Sequence, residues 1–437
     1  MTYYETLFER LQTKTAQVGV IGAGYVGLPL AVGFAEAGLH VILVDLSADK
    51  IRMLCEGESY IPDVSSEQVQ ALVQSGYLRP TTDYAQLAQA DAISICVQTP
   101  LDVNREPDLT YIHAVLAGLA PHLRAGMLIV LESTTYPGTT IEHVVPMVQE
   151  HAFLIGIEVF VAFSGERIDP GNTHYGLRNT PKVVGGVTPA CGQLTETLYQ
   201  HAIDRVVPVS SPTAAEMVKL VENSFRLVNI SFANEVAMMC GRLGINAREV
   251  INAAATKPFG FMPFYPGPGA GGHCIPVDPI YLSWKMRTLN YSARFIDLAS
   301  EINHSMPHYV VERITEALND DEKAVKKARV LLLGVAYKPD IEDMRESPAL
   351  PIIELLRHKG ADVSYHDFYV PLLHMEDGTP LTSASYTQAL LQEADCVVIL
   401  TNHSQYEWQY VVEHSRLIVD TRNVTSSVIG QARIVGL

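Results

Sequence analysis

Residues 17–45 constrain this chain more than any other stretch. They run Gln17-Val-Gly-Val-Ile-Gly22-Ala-Gly24-Tyr-Val-Gly27, continue through Leu-Pro-Leu-Ala-Val-Gly-Phe-Ala-Glu-Ala-Gly38, and end His40-Val-Ile-Leu-Val-Asp45. The pattern predicts a buried strand, a glycine turn, a helix ending at Gly38, and a second strand closed by an acid. In such a unit Gly22 permits the tight turn, Gly24 lets a pyrophosphate approach the backbone, and Gly27 lets helix and strand pack closely. The helix N-terminus then faces the phosphates. Tyr25 and Val26, inside the fingerprint, are placed beside the same cofactor. Asp45 follows Gly27 by eighteen residues, where its carboxylate can accept from both ribose hydroxyls and would repel a 2′-phosphate, which selects NAD over NADP. A glycine-rich turn in any α/β protein is the competing reading. The full set of strand, helix, second strand and terminal acid at the expected spacings favours the cofactor site.

Two further strand patterns, Ala92-Ile-Ser-Ile-Cys-Val and Met127-Leu-Ile-Val-Leu, each lead into a hydroxyl-bearing segment, Gln98-Thr99-Pro100 and Ser133-Thr134-Thr135. Carboxyl ends of strands form the ligand crevice of an open parallel sheet, so Thr99 and Thr134 are placed to touch the cofactor. Turn-forming threonines are the bland alternative. The stretch Val18–Ala35 lacks charge and follows Lys14, a superficial likeness to a signal peptide or membrane span, but it holds five glycines and one proline that the fingerprint explains better.

At 437 residues the chain predicts two or three domains. Apolar residues make up 48% and charged ones 18%, the balance of a well-packed globular protein. A formal net charge of −17 argues against nucleic acid, whose phosphates need a clustered positive surface. The six cysteines show no paired spacing, so neither a metal site nor a disulfide framework is expected, and a cytoplasmic location fits best.

From Ser211-Pro-Thr-Ala-Ala-Glu216 to Gly241 apolar residues recur at helical spacing, with Ser211 and Pro212 as N-cap and first helical residue. Such a helix can bridge two domains, and its apolar excess can supply a dimer seam. Lys219, Asn223 and Arg226 share one of its faces, although charged faces are usually just solvated. The loop Thr256–Pro279, TKPFGFMPFYPGPGAGGHCIPVDP, is rich in proline, glycine and aromatics and nearly free of charge. It cannot be a regular element and is too apolar for a solvated linker, which predicts a pocket lining. Its glycine-rich backbone can offer amide donors to an oxyanion or phosphate, and Phe261, Phe264 and Tyr265 offer faces to a planar base. An arbitrary cysteine is usually buried and inert. In this loop, within a chain carrying an NAD site, Cys274 reads instead as a thiolate activated beside backbone donors.

The pattern of the first strand and helix recurs near the end. Arg329-Val-Leu-Leu-Leu-Gly334 echoes the first strand, Pro348–Lys359 the helix before Gly360, Ala361–Asp367 the strand with its acid, and Ala394–Leu400 the segment at Ala90–Cys96. The glycine fingerprint is missing from this copy. GVAYKPDIEDMRESP replaces it, with Ser347 and Pro348 as N-cap and first helical residue. Lys338 and Arg345 therefore sit where the first copy holds phosphates, which points to a second nucleotide or diphosphate unless they are ordinary surface charges.

Together GAGYVGLP, CVQTP, ESTTYPGT, FSGERIDPGN, KLVENSFRLVN, GPGAGGHCIPVDP and GVAYKPDIEDMRESP resemble, in order and over nearly the whole chain, the nucleotide-sugar dehydrogenases of the UDP-glucose/GDP-mannose dehydrogenase family. The resemblance implies an α/β architecture of two Rossmann-like domains with mostly parallel sheets, joined by a long central helix and a helical middle domain. Expected divisions are 1–210 for NAD, 211–320 for dimerisation and catalysis, and 321–437 for the UDP-sugar. It implies oxidation of a sugar C6 alcohol to a carboxylate with two NAD and one water. In that reading Cys274 captures the C6 aldehyde as a thiohemiacetal, and a second hydride transfer makes a thioester. Lys219 and Asn223 stabilise the oxyanion, Asp278 positions water, and Glu166 is general acid/base for hydrolysis. Lys50 contacts the cofactor ribose, and Arg345 reaches the cofactor. Lys338, with Arg167, Phe264, Tyr265 and Gly271, binds substrate. Segments Gly57–Val64, Glu166–Asn172 and Pro181–Gly186, with Val277, look most like the branch acting on UDP-N-acetylglucosamine; UDP-N-acetylmannosamine and UDP-glucose are the alternatives. Gly165 and Gln98 depart from the proline common at those positions. A homodimer through the central helix, without membrane or nucleic-acid partners, is expected. A two-electron hydroxyacid dehydrogenase and a silent nucleotide-sugar sensor are the rival readings; neither has a use for the thiol.

Overall fold

The computed structural model describes residues 1–168, 172, 174–375 and 377–437. Asp169, Pro170 and Gly171 of the segment Glu166–Asn172 therefore lie outside the described residues. Contacts divide the chain into two units, one of residues 1–222 with 284–289 and one of residues 223–283 with 290–437.

In the first unit eight described strands form one sheet: β1 (Gln17–Ile21), β2 (His40–Val44), β3 (Leu78–Thr81), β4 (Ala92–Ile95), β5 (Leu128–Leu131), β6 (Phe160–Phe163), β7 (Lys182–Gly186) and β8 (Val206–Val209). Their order is β3-β2-β1-β4-β5-β6-β7-β8. The first six are parallel in the doubly wound arrangement, whose chain direction reverses between β1 and β4 and opens a crevice there. The uncharged stretch from Val18 to Ala35 becomes β1 and the fingerprint helix (Gly27–Glu36), both packed into the core. Among the described residues no helix is long and apolar enough to cross a membrane. Sequence patterning did not foresee β6 to β8, of which β7 runs antiparallel to β6.

In the second unit β9 (Arg329–Leu333), β10 (Asp362–His366), β13 (Cys396–Ile399), β14 (Leu417–Asp420) and β15 (Arg433–Gly436) form a parallel sheet, and β11 (Leu372–His374) pairs with β12 (Pro380–Thr382) in a small hairpin. The order β10-β9-β13-β14-β15 is again doubly wound, with its own core beneath the helix Ala349–His358. That helix starts one residue later than expected. Pro348, not Ser347, is its N-cap, and no side chain caps it; the Ser347 hydroxyl accepts from the Ala349 amide at 3.2 Å and donates to the Val335 carbonyl at 2.7 Å.

The central helix (Pro212–Leu243) is 32 residues long, about 48 Å at 1.5 Å per residue. Ser211 accepts from the Ala214 amide at 3.1 Å, which is the predicted cap. A second long helix, Arg294–Asp320, carries Pro307 in its interior, a residue that argues against a continuous helix when only the sequence is read.

Candidate active site

The fingerprint turn is built as the glycines require. Gly22 has φ +99°, and a side chain there would meet the Cys96 carbonyl at 2.4 Å. A side chain on Gly27 would lie 1.8 Å from the Gly22 carbonyl, so the helix seats directly on the turn. Beside Gly24, in contrast, a Cβ would meet nothing within 4 Å, which leaves the space a diphosphate needs. Tyr25 is exposed and Val26 half-buried at this open edge.

Asp45 closes β2 from the other side. Its Oδ2 accepts from the Ala23 amide and its Oδ1 from the Ser47 amide, each at 2.8 Å, while Lys50 approaches to 3.7 Å. A carboxylate has about four acceptor positions, so two remain for ribose hydroxyls. Thr99 donates to the Thr134 carbonyl at 2.6 Å and ties together the loops that follow β4 and β5. Gln98 is exposed there. The residues present fit NAD: Gly24, Asp45 and Lys50 would hold its diphosphate and adenosine ribose, and Thr99 and Thr134 would meet it past β4 and β5.

Two buried acids that sequence reading missed organise the same rim. Glu216, at the start of the central helix, accepts from the amides of Gly138 and Thr140 and from the Thr140 hydroxyl. Burial holds its carboxyl above the usual range despite those donors. Glu132, just past β5, meets Lys182 at 2.8 Å and accepts from the Tyr199 hydroxyl. Lys182 also reaches Glu166 at 3.2 Å.

Glu166 follows β6. Its Oε1 accepts from the amides of Arg167 at 2.6 Å and Ile168 at 2.8 Å. Burial opposes its charge, but Lys182 and the two amides outweigh burial and hold the carboxyl below its ordinary value. At Gly165 a Cβ would sit 3.2 Å from the Phe163 ring and 3.4 Å from the Lys219 Cβ, a tight fit that a small shift of the ring would relieve. That contact places Lys219 beside the Glu166 segment. Arg167, expected on the substrate, is turned to Glu222 at 2.5 Å and to the Pro181 carbonyl at 2.6 Å.

In the second unit the glycine loop is pinned by side-chain amides. Asn234 accepts from the Gly267 amide, and Asn303 both accepts from and donates to Ala270. A side chain on Gly271 would collide with the Glu346 carbonyl and the Tyr337 Cβ, each at 2.7 Å, and the Gly272 amide donates to the Arg345 carbonyl at 2.9 Å. The Cys274 loop thus packs directly on the segment that carries Lys338 and Arg345.

The Cys274 carbonyl accepts the amides of Val277 and Asp278, forming the turn that opens the helix Asp278–Thr288. Cys274 is half-buried, unlike Cys96, Cys191, Cys240 and Cys396, which lie in the cores. Asp278 is buried and accepts from the Asn223 side-chain amide at 2.5 Å. Asn223 follows Lys219 by one helical turn, so the two project from one side of the central helix. Arg226, on the same predicted face, is exposed. Phe264 packs edge-on against Phe225 with ring centres 5.9 Å apart, and Arg248 covers the Tyr265 face at 4.3 Å. Arg345 pairs bidentately with Asp343. Val277 is buried in the turn itself.

The open fingerprint with its terminal acid defines a dinucleotide-dependent oxidoreductase, and the second doubly wound sheet gives it a further lobe. Descriptions of the UDP-glucose/GDP-mannose dehydrogenase family match in three consecutive parts: the NAD binding domain over residues 16–203, the central domain over 213–305 and the UDP binding domain over 331–427. The UDP-N-acetyl-D-mannosamine dehydrogenase of Escherichia coli (strain K12) is 36% identical over 431 residues, 94% of this chain and 99% of that protein. The NDP-N-acetyl-D-galactosaminuronic acid dehydrogenase of Ralstonia nicotianae is 35% identical, covering 94% and 96%. The solved UDP-D-ManNAc dehydrogenase of Pyrococcus horikoshii superposes with a TM-score of 0.87 at 31% identity, covering 96% of this chain and 98% of that one. The chain belongs to the UDP-glucose/GDP-mannose dehydrogenase family and is an NAD-dependent UDP-sugar dehydrogenase.

Proposed function

We propose that the protein oxidises the C6 alcohol of a UDP-N-acetylhexosamine to the uronic acid through a covalent intermediate on Cys274, with UDP-N-acetyl-D-mannosamine as the best substrate. The observation that carries the chemistry is the Asn223–Asp278–Cys274 arrangement: a half-buried thiol on the entrance turn of a helix whose first residue is a buried carboxylate held by a side-chain amide. NAD, when bound, supplies the hydride acceptor for both oxidation steps. The thiol adds to the C6 aldehyde, and loss of a hydride from the thiohemiacetal leaves a thioester. Lys219 and Asn223 stabilise the developing oxyanion. Asp278 orients a water, and Glu166 takes its proton during hydrolysis. Arg345 and Lys50 serve the cofactor, and Lys338, Gly271, Phe264 and Tyr265 the substrate, while Arg167, paired with Glu222, drops out of that set.

The sugar assignment departs from the sequence expectation of UDP-N-acetylglucosamine. Relatives covering nearly the whole chain are named for N-acetylmannosamine and N-acetylgalactosaminuronic acid, which favours an N-acetylated hexosamine and moves the manno epimer ahead of the gluco one. NADH formation with UDP-N-acetyl-D-mannosamine, UDP-N-acetylglucosamine, UDP-N-acetylgalactosamine and UDP-glucose tests this reading. Two NADH per sugar are expected with the manno sugar, and Cys274→Ala is expected to bind NAD yet form no uronate. Continued formation of two NADH by that variant would remove Cys274 from the chemistry.

The central helix also supports a homodimer. Met217, Val221, Phe225, Phe232, Met239 and Leu243 form an exposed apolar stripe along it, and such a stripe is usually covered by a partner. Phe232→Glu is expected to halve the mass measured by light scattering.

A further inference from the structure

The first unit contains a cluster of charge of which the proposed chemistry uses only one member, Glu166. Glu132, Lys182 and Glu166 come from three segments that meet at the edge of the sheet where β5 and β6 end, the edge at which an open parallel sheet binds its ligands. Strand β7 pairs antiparallel with β6, Ala162 opposite Gly186 and Phe163 opposite Gly185. Continued past the strand end, that register sets Lys182 opposite Glu166. The side chains of Glu132 and Lys182 are 0% and 3% exposed, whereas that of Glu166 is 12% exposed, so Glu166 is the member of the cluster that solvent reaches.

One ammonium therefore serves two carboxylates in a dry environment. A buried ion pair is a poor source of stability because desolvation offsets its attraction, and an odd charge makes it worse. An arrangement this costly at a ligand-binding edge calls for a role beyond holding the sheet together. We propose that Lys182 and Glu132 are positioning residues for Glu166: the shared ammonium aims Glu166 Oε2, and the charge state of Glu132 sets how tightly that ammonium binds it. The inference rests on the reading of Glu166 as the group that accepts the proton of the hydrolytic water.

The charge count gives the direction. When Glu132 is ionised the cluster carries one net negative charge. A proton moving from water to Glu166 then leaves Lys182 paired with Glu132 and the cluster neutral. When Glu132 is protonated, the same transfer would leave a lone buried ammonium, so Glu166 is a poor base. Burial pushes the Glu132 carboxyl up to about 7, with Lys182 opposing and Glu166 adding to the shift, so the exchange falls in the neutral range. The other groups facing the cluster are the Tyr199 hydroxyl, which donates to Glu132 and touches the Ser94 hydroxyl, and the Cys96 thiol, pushed up chiefly by burial. Neither adds charge at neutral pH. The Arg167 guanidinium is committed to Glu222.

The test is the pH profile of thioester hydrolysis, read as the slow phase after the NADH burst, with the best substrate of the panel above. Wild type is expected to show an acid limb near neutrality. Glu132→Gln is expected to bind NAD normally, to hydrolyse about tenfold more slowly at pH 8, and to have its acid limb displaced to lower pH because Lys182 is then committed to Glu166. Lys182→Met is expected to move the limb upward, and Lys182→Arg to restore it. A Glu132→Gln limb that coincides with wild type overturns the proposal. Glu166→Gln separates the two readings: it is expected to slow hydrolysis roughly a hundredfold or more. If it does so while Glu132→Gln changes nothing, only the positioning role fails. If Glu166→Gln leaves hydrolysis intact, the role of Glu166 falls, and the positioning role with it.

Discussion

The two doubly wound sheets open with the same turn and put it to different uses. Gly22 has φ +99° and donates to the Val44 carbonyl; Gly334 has φ +77° and donates to the His366 carbonyl. A side chain on either would meet a backbone carbonyl at 2.4 Å, that of Cys96 in one copy and of Thr401 in the other. In each copy the next amide, of Ala23 or Val335, donates to the acid that ends the second strand, Asp45 or Asp367. There the likeness stops. Asp45 spends one amide on each oxygen and stays near the open space beside Gly24. Asp367 is wholly enclosed and accepts from five donors: the amides of Val335, Ala336, Tyr369 and Val370, and His403 Nε2. His403 Nδ1 accepts from the Asp340 amide, which leaves its proton on Nε2. The acid that keeps acceptor positions open in one copy is an internal brace in the other. Any nucleotide held by the second sheet must be read by other groups, such as those of the Lys338–Arg345 segment.

The sharpest way to break this comparison is to remove each acid. Asp367→Ala strands five donors and is expected to cost about 5 kcal/mol of stability at about 1 kcal/mol or more for each, measured by denaturant unfolding. A loss near zero would mean that the brace is ornamental. The first copy has a buried carboxylate too, Glu132, and its pH dependence has the opposite sign. Its folded value, about 7, lies above the ordinary 4.5, so the stability it gives is complete below 4.5 and is lost as pH rises through 7. Glu132→Gln should therefore gain relative to wild type between pH 5 and 8, by about 3 kcal/mol. Asp367 runs the other way. Burial opposes its charge, but His403 and the amides hold its value below the ordinary 3.8, so its stabilisation is present above 3.8 and disappears as pH falls through the lowered value. Asp45→Asn is expected to weaken NAD binding about tenfold, about 1.4 kcal/mol, with little change in melting temperature. The smallest expected effect on folding is that of Gly24→Ala, whose Cβ meets open space. Its melting temperature should match wild type while calorimetric NAD affinity falls, and a drop in both would close the space inferred beside it.

Much of this was legible in order along the chain, because turns and helix starts are local. Gly22, Gly27, Asp45 and the Ser211-Pro212 cap all announce themselves within a few residues of what they do. Cys274 could be singled out because its loop has a composition that no regular element tolerates. What stayed hidden was pairing across distance. Glu132 looks like the hydrophilic end of a strand and Lys182 like the polar start of another, and only the antiparallel β7, which no periodicity foretells, sets them face to face. Arg167 was read as facing the substrate because nothing nearby in sequence names Glu222 as its partner. Asp367 was recognised as the echo of Asp45, but His403, 36 residues on, decides that it points inward.

The Cys274 carbonyl receives the amides of Val277 and Asp278, so sulfur and carboxylate ride on a single hinge of backbone. Neither backbone position can shift unless the opening coil of that helix comes undone. Alkylation kinetics of the thiol would therefore gauge how firmly Asp278 is seated, and loosening the Asn223 clamp should quicken the one as it unseats the other.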